Sequence, residues 1–415
     1  MGLKLIRYLA GALALTASVG AYSAGKLMIV GGALRSDNED VYRQFIAAIP
    51  EDAPDVAIIP AASGRPAHYA KQFATDLAAH GFNGHVHVLP VALRDDRSTP
   101  YVDESTWAKG AFDAALPENL NAVGGIWFVG GDQTRITGTM LTDKGEDSPL
   151  MTAVRRRLAE GAVVGGTSAG AAIMSDPMIA GGSSLAALTV PPGNEYAGIN
   201  AQESGQLVLR KGIGFFDAGI VDQHFDRKGR LGRLVRSLES QAPSRRLGFG
   251  VDEDTGILVD LGKKEMTVLG AGNLVLIDAR QAKFASGKDQ FGAQGMTLSV
   301  LSRGDRYNYG THSLSLNGAP TVKNEAFGYV ADQGAGMAIP NSRLDHLLGF
   351  SLLDNSETAE LRRYAFGEDG AGILYRFTQT GNSEGYWRYG SGTKDQYSAR
   401  DVLFSIEPVS ISIER

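Results

Sequence analysis

The sequence predicts an α/β protein, a doubly wound and mostly parallel sheet followed by a C-terminal β-rich appendage. Three observations carry that expectation. From Lys26 to about Arg280, short continuous apolar runs alternate with amphipathic stretches, the pattern of strands buried on both faces and the helices that cover them. These runs stop at glycine, proline or clusters of polar residues. Beyond about Asn308 helical periods become scarce, and short alternating runs such as Ile373–Thr378 and Val402–Ile413 stand among glycine- and aromatic-rich turns.

Taken in order, Lys4 and Arg7 precede an uncharged run from Tyr8 to about Val19 and small residues through Ala24. This reads as a secretory signal peptide over residues 1–24, cleaved after Ala21 or Ala24, and predicts a secreted protein with no membrane attachment once cleaved. Leu27–Val30 and Val56–Ile59 read as buried strands ending in Gly31-Gly32 and Pro60. Between them Val41, Phe45 and Ala48 recur at helical spacing, with Asp37 or Asn38 available as N-cap. Pro66 suits a first helical turn, and Tyr69, Phe73 and Leu77 fall four apart before Gly81. Further strands are expected at His85–Leu89, Ile126–Val129, Ala162–Val164, Ala218–Val221 and Leu247–Val251. The division is therefore residues 25–308 as one catalytic-size α/β domain and 309–415 as the appendage.

Composition narrows the function. There are 53 glycines but only 15 prolines in 415 residues, with no period of three, so the chain is globular rather than collagen-like or a linker. With 40 Lys+Arg against 46 Asp+Glu and no like-charge block, it lacks the electrostatic footprint of a nucleic-acid binder. The absence of cysteine excludes thiolate chemistry, cysteine-ligated metals and disulfides. His85 and His87 lack a third ligand, so neither a metal nor another cofactor is expected.

Chemistry-bearing residues gather after the apolar runs. Gly166-Thr167-Ser168-Ala169-Gly170 is a G-x-S-x-G between a strand and helix-forming residues, where a sharp turn exposes a nucleophile and the next N–H faces the developing oxyanion. Asp222-Gln223-His224-Phe225 follows Ala218–Val221 and supplies an imidazole as general base. Asp252-Glu253-Asp254 follows Leu247–Val251; an acid is needed to orient the imidazole, and spacing selects none of the three. Gly130-Gly131-Asp132-Gln133 closes Ile126–Val129 and permits a backbone nest of N–H donors. All four clusters are expected along one rim of one sheet.

These blocks, with Arg230, Arg233-Leu234 and Gly250-Val251 through Thr255, resemble the cyanophycinases, serine hydrolases of the class I glutamine-amidotransferase-like fold related to aspartyl dipeptidases. The likeness runs from about Lys26 to Asn308. It implies Ser168 as nucleophile, His224 as base and Glu253 as its orienting acid, with Glu195 as the fallback acid. The order Ser, His, Glu differs from α/β-hydrolases, whose acid precedes the histidine. Asp132 and Ala169 are implied to form the oxyanion hole. The implied partner is cyanophycin, a polyaspartate whose β-carboxyls carry arginine, cut to β-Asp-Arg dipeptides. Arg230 and Arg233 are then expected to grip carboxylates, with Gln133, Asp222 and Gln223 holding the β-linked side chain. Three alternatives stay open: an aspartyl or isoaspartyl dipeptidase, an α/β-hydrolase esterase using His312 or His346, and a non-catalytic polymer-binding protein. The appendage is left between binding substrate, supporting a homodimer and shielding a sheet edge.

Overall fold

The computed structural model describes residues 24–287, 291–335, 343–390 and 394–412. The expected signal peptide, apart from Ala24, lies outside the described residues. Five strands, β1 (Lys26–Val30), β2 (Asp55–Ile59), β3 (Val86–Val88), β4 (Val123–Phe128) and β5 (Val163–Thr167), run parallel in the spatial order β3-β2-β4-β5-β1. Between and after them come α1 (Glu39–Ala47), α2 (Pro66–Ala79), α3 (Gln133–Met140), α4 (Pro149–Ala159) and the short α5 (Ala169–Ala172). Helices cover both faces, and this is why β1 is an unbroken apolar run. Leu27 and Ile29 pack with Ile136, Met140 and Leu150 on one side, while Met28 and Val30 meet Val41, Phe45 and Phe73 on the other. Of the two N-cap candidates it is Asn38 that closes α1, accepting the Val41 N–H; Ser148 does the same for α4, with Pro149 in its first turn.

A small antiparallel pair, β6 (Met178–Gly181) and β7 (Val208–Arg210), brackets α6 (Ser184–Thr189). Then follow β8 (Ile220–Asp222), α7 (Leu231–Leu238), β9 (Leu247–Val251), β10 (Thr255–Asp260), β11 (Glu265–Gly270), β12 (Leu274–Asp278), β13 (Lys283–Ser286) and β14 (Phe291–Leu301). The remaining strands are β15 (Arg306–Asn308), β16 (Ser313–Ser315), β17 (Ala319–Pro320), β18 (Gly334–Ala335), β19 (Glu360–Phe366), β20 (Ala371–Thr378), β21 (Glu384–Tyr389) and β22 (Asp395–Ser410).

Three expectations change. First, the parallel strands are only part of their sheet: β10, β11, β15 and β16 extend it beyond β1, each pairing antiparallel. The turn between β10 and β11 is too short for a crossover, so it forces antiparallel pairing. Second, β8 and β9 do not join this sheet. They are parallel to each other at one edge of a second sheet, ordered β18-β19-β20-β22-β14-β12-β9-β8. Third, Asn308 does not separate an appendage, because β14 before it pairs with β22 after it, and Val300 shares a core with Phe404 and Ile406. The late region also holds a helical segment, Asp345–Leu353, that buries Leu347, Leu348 and Leu352.

Candidate active site

The two sheets meet at the turn after β9. Consecutive strands β9 and β10 belong to different sheets, and Asp252-Glu253-Asp254 is the crossing between them. Asp254 takes φ +53°, its N–H donates to the Gly32 carbonyl, and its carboxylate accepts from the Arg35 N–H and the Asn38 amide. The loop after β1 is thereby tied to the seam.

Ser168 sits between β5 and α5 at φ +54°, ψ −107°, with its N–H donated to the Val30 carbonyl at 3.0 Å. The two motif glycines make the turn sterically possible: a Cβ on Gly166 would lie 2.7 Å from the Gly170 backbone. His224 follows β8 with φ +47°, and its N–H donates to the Gly31 carbonyl at 2.6 Å. Its ring lies against Gly32, where a Cβ would come within 2.4 Å of the imidazole.

The three functional groups converge. Ser168 Oγ is 2.9 Å from His224 Nε2, and His224 Nδ1 is 2.6 Å from Glu253 Oε1. A carboxylate can only accept, so Nδ1 carries the proton and Nε2 is left to accept the serine hydroxyl. The Glu253 backbone N–H donates to Asp226 Oδ1 at 3.0 Å, which fixes the acid's approach. Its neighbours are occupied otherwise. Asp252 is buried and accepts from the Asn273 N–H and amide, and burial pushes its pKa well above the usual carboxylate range. Glu195 is exposed, His312 bonds Tyr307 and His346 packs at a tilt against Phe350.

Burial pushes the His224 pKa down to about 4, reinforced by the charges of Arg230 and Lys228 and opposed by the Glu253 hydrogen bond. Imidazole works as a base only when neutral, so lowering its pKa extends the working form toward acid. The pH profile of kcat/KM on a soluble peptide substrate is therefore expected to rise through an acid limb nearer 4 than 6.5 and stay level through neutrality. A limb centred at 6.5 or higher contradicts this environment.

On the oxyanion side the Ala169 N–H has no acceptor among the described residues. Asp132 is a correction. Its N–H donates to the Ala62 carbonyl at 3.0 Å and its carboxylate caps α3 through the Thr134 N–H and hydroxyl. The free N–H belongs instead to Gly131, beside Gly130, where a Cβ would lie 3.2 Å from Ser168 Cβ.

The residues expected to hold substrate are also corrected. Arg233 clamps Asp222 with both ends of its fork, at 2.7 and 2.6 Å, and gives its remaining Nη to the Gly182 and Gln202 carbonyls. Arg230 donates to the Gln223 carbonyl and to Glu203; burial pushes its pKa down to about 10, which leaves it charged at neutral pH. Gln133 is fully engaged, donating to the Ile179 and Ala180 carbonyls and accepting from Gln202. The reason is burial: Asp222, Arg230 and Arg233 are each about 2 % exposed, and charges so placed must be paired with one another. Gln223 is buried as well, but its side-chain oxygen has no partner among the described residues, so its expected role is not overturned. Sequence reasoning missed Glu203 and Gln202, which carry no motif, and the contact between Gly32 and the imidazole.

An α/β scaffold that lines up a strained serine, a neutral imidazole and a carboxylate defines a serine hydrolase. The chain matches the model of Peptidase family S51 over residues 27–267 and belongs to that family, as a cyanophycinase-like serine peptidase. It is 29 % identical over 302 residues to a cyanophycinase of Geminocystis herdmanii, spanning 70 % of this chain and 96 % of the relative. A Nostoc cyanophycinase is 28 % identical over 290 residues, spanning 68 % and 85 %. A solved peptidase from an acI-B1 actinobacterium overlaps 61 % of this chain and 90 % of its own, at TM-score 0.43 and 19 % identity.

Proposed function

We propose that this chain is a secreted serine exopeptidase that hydrolyses cyanophycin to β-Asp-Arg dipeptides through an acyl-enzyme, on a glutamine-amidotransferase-like fold. The observation that carries the reading is the hydrogen-bonded line Ser168–His224–Glu253. Its relatives named as cyanophycinases support the substrate. The stretch Lys4 to Ala24 supports export, and no helix among the described residues is long and apolar enough to cross a membrane.

In this mechanism Ser168 Oγ attacks the scissile carbonyl carbon while its proton passes to His224 Nε2. The Glu253 carboxylate stabilises the resulting imidazolium through Nδ1–H. The N–H groups of Ala169 and Gly131 receive the oxyanion, aided by the N-terminal end of α5. His224 returns the proton to the leaving nitrogen, the C–N bond breaks, and the acyl-serine is released by water that His224 deprotonates. The test is to add the purified protein to a turbid cyanophycin suspension. Clearing with β-Asp-Arg as the soluble product is expected; an unchanged suspension overturns the substrate assignment.

A further inference from the structure

A cleft of about 370 Å³ opens beside Ser168 and His224, within the usual range for small-ligand sites. One long wall is a single face of α2. Tyr69, Gln72, Phe73 and Asp76 line it at spacings of three and four residues, so the wall runs about 10 Å from Tyr69 to Asp76. The loop that leads into this helix abuts the oxyanion turn, since a Cβ on Gly131 would collide with the Ala62 carbonyl 2.1 Å away. Asp76 lies about 15 Å along the helix axis from Pro66, the first residue of α2.

Asp76 is the one acid lining this cleft, and no Lys or Arg lines it among the described residues. The carboxylate is 7 % exposed. It accepts from the Tyr42 hydroxyl at 3.0 Å and the Gln72 amide at 2.9 Å, one bond to each oxygen, and it belongs to no ion pair among the described residues. A carboxylate this buried is ordinarily matched by a cation, whereas here both partners are neutral and each oxygen keeps acceptor capacity toward the cleft. Phe73 stacks on Trp127 at 4.2 Å and 12°, giving the wall flat aromatic surface. Aromatic faces attract a guanidinium and also pack an aliphatic stem.

We propose that Asp76 is a specificity residue, and that the cleft takes a cationic side chain of the substrate, a guanidinium, next to the bond that Ser168 attacks. The inference rests on the hydrolytic reading of Ser168 and adds the cation that the cleft selects. The roughly 10 Å of wall accommodates an extended arginine side chain, with its methylenes along Phe73 and its head at Asp76.

The test compares a short β-Asp-Arg oligomer with the same oligomer carrying citrulline, which keeps the shape and removes the charge. The wild-type chain is expected to favour arginine by about 10- to 100-fold in kcat/KM, mainly through KM, the range of a charge-assisted contact. Asp76→Asn is expected to erase most of that ratio while leaving citrulline turnover within about threefold. Because Asp76 also holds Tyr42, a second variant guards against misfolding. Gln72 is exposed and one helical turn from Asp76, so Gln72→Lys supplies an internal ammonium and should lower the arginine-to-citrulline ratio as Asp76→Asn does. Equal use of both substrates by the wild-type chain, or an unchanged ratio in both variants, overturns the inference. Cleavage of neither substrate, with Ser168 unlabelled by a fluorophosphonate, overturns the hydrolytic reading and this inference with it.

Discussion

Replacing Ser168 by alanine is expected to lower kcat by about four to six orders of magnitude, with thermal stability unchanged or slightly raised. The side chain removed is one hydroxyl, and its backbone bonds to Val30, Ala171 and Ala172 do not involve it. The strained φ of +54° is imposed by those bonds and remains for alanine. Ser168, His224 and Glu253 act as one device, so Ser168→Ala combined with His224→Ala should be scarcely worse than either alone. Single-turnover kinetics on a soluble substrate read this directly. Additive losses would mean that the imidazole works on something other than the serine hydroxyl.

The second large effect lies just behind the imidazole. Asp222→Ala removes the shared partner of Arg233 and Arg230 and leaves one or both guanidiniums buried with an uncompensated charge, a loss of about 3–5 kcal/mol. Arg233 also bonds the Gly182 and Gln202 carbonyls, so the segment between β6 and β7 should loosen with it. Chemical denaturation is expected to show a much earlier midpoint. A double variant, Asp222→Asn with Arg233→Met, should recover most of the stability, because a neutral, well-packed pair replaces two buried charges. Unchanged stability accompanied by a raised KM would instead restore these residues to direct substrate contact.

These cases mark the limits of what the chain discloses by itself. The turn at Ser168 was legible because a nucleophile on a tight strand-to-helix corner requires small residues two before and two after it, and Gly166 and Gly170 are printed in the sequence. His224 and Glu253 were legible as polar residues ending apolar runs, sharpened by the resemblance. The company a strand keeps was not: Leu247–Val251 announces burial but not that its partners are β8 and β12 rather than β1. Arg230 and Arg233 were misread for a related reason. The resemblance placed them at the substrate, but every residue of α7 is buried, and the two guanidiniums are spent on Asp222, Glu203 and backbone carbonyls. The Asp76 cleft was invisible because Tyr69, Phe73 and Leu77 repeat as a core stripe, while Gln72 and Asp76 fill the ordinary polar positions of an amphipathic helix.

The placement of β22 has a temporal consequence. A strand from residues 395–410 lies between β14 and β20, in the middle of the sheet that delivers His224, whereas Ser168 rides on the other sheet and is made far earlier. The nucleophile and the base therefore ride on different sheets, and the sheet of the base depends on chain made last for its central pairing. A chain stopped short of residue 395 would leave β14 and β20 without the strand that joins them.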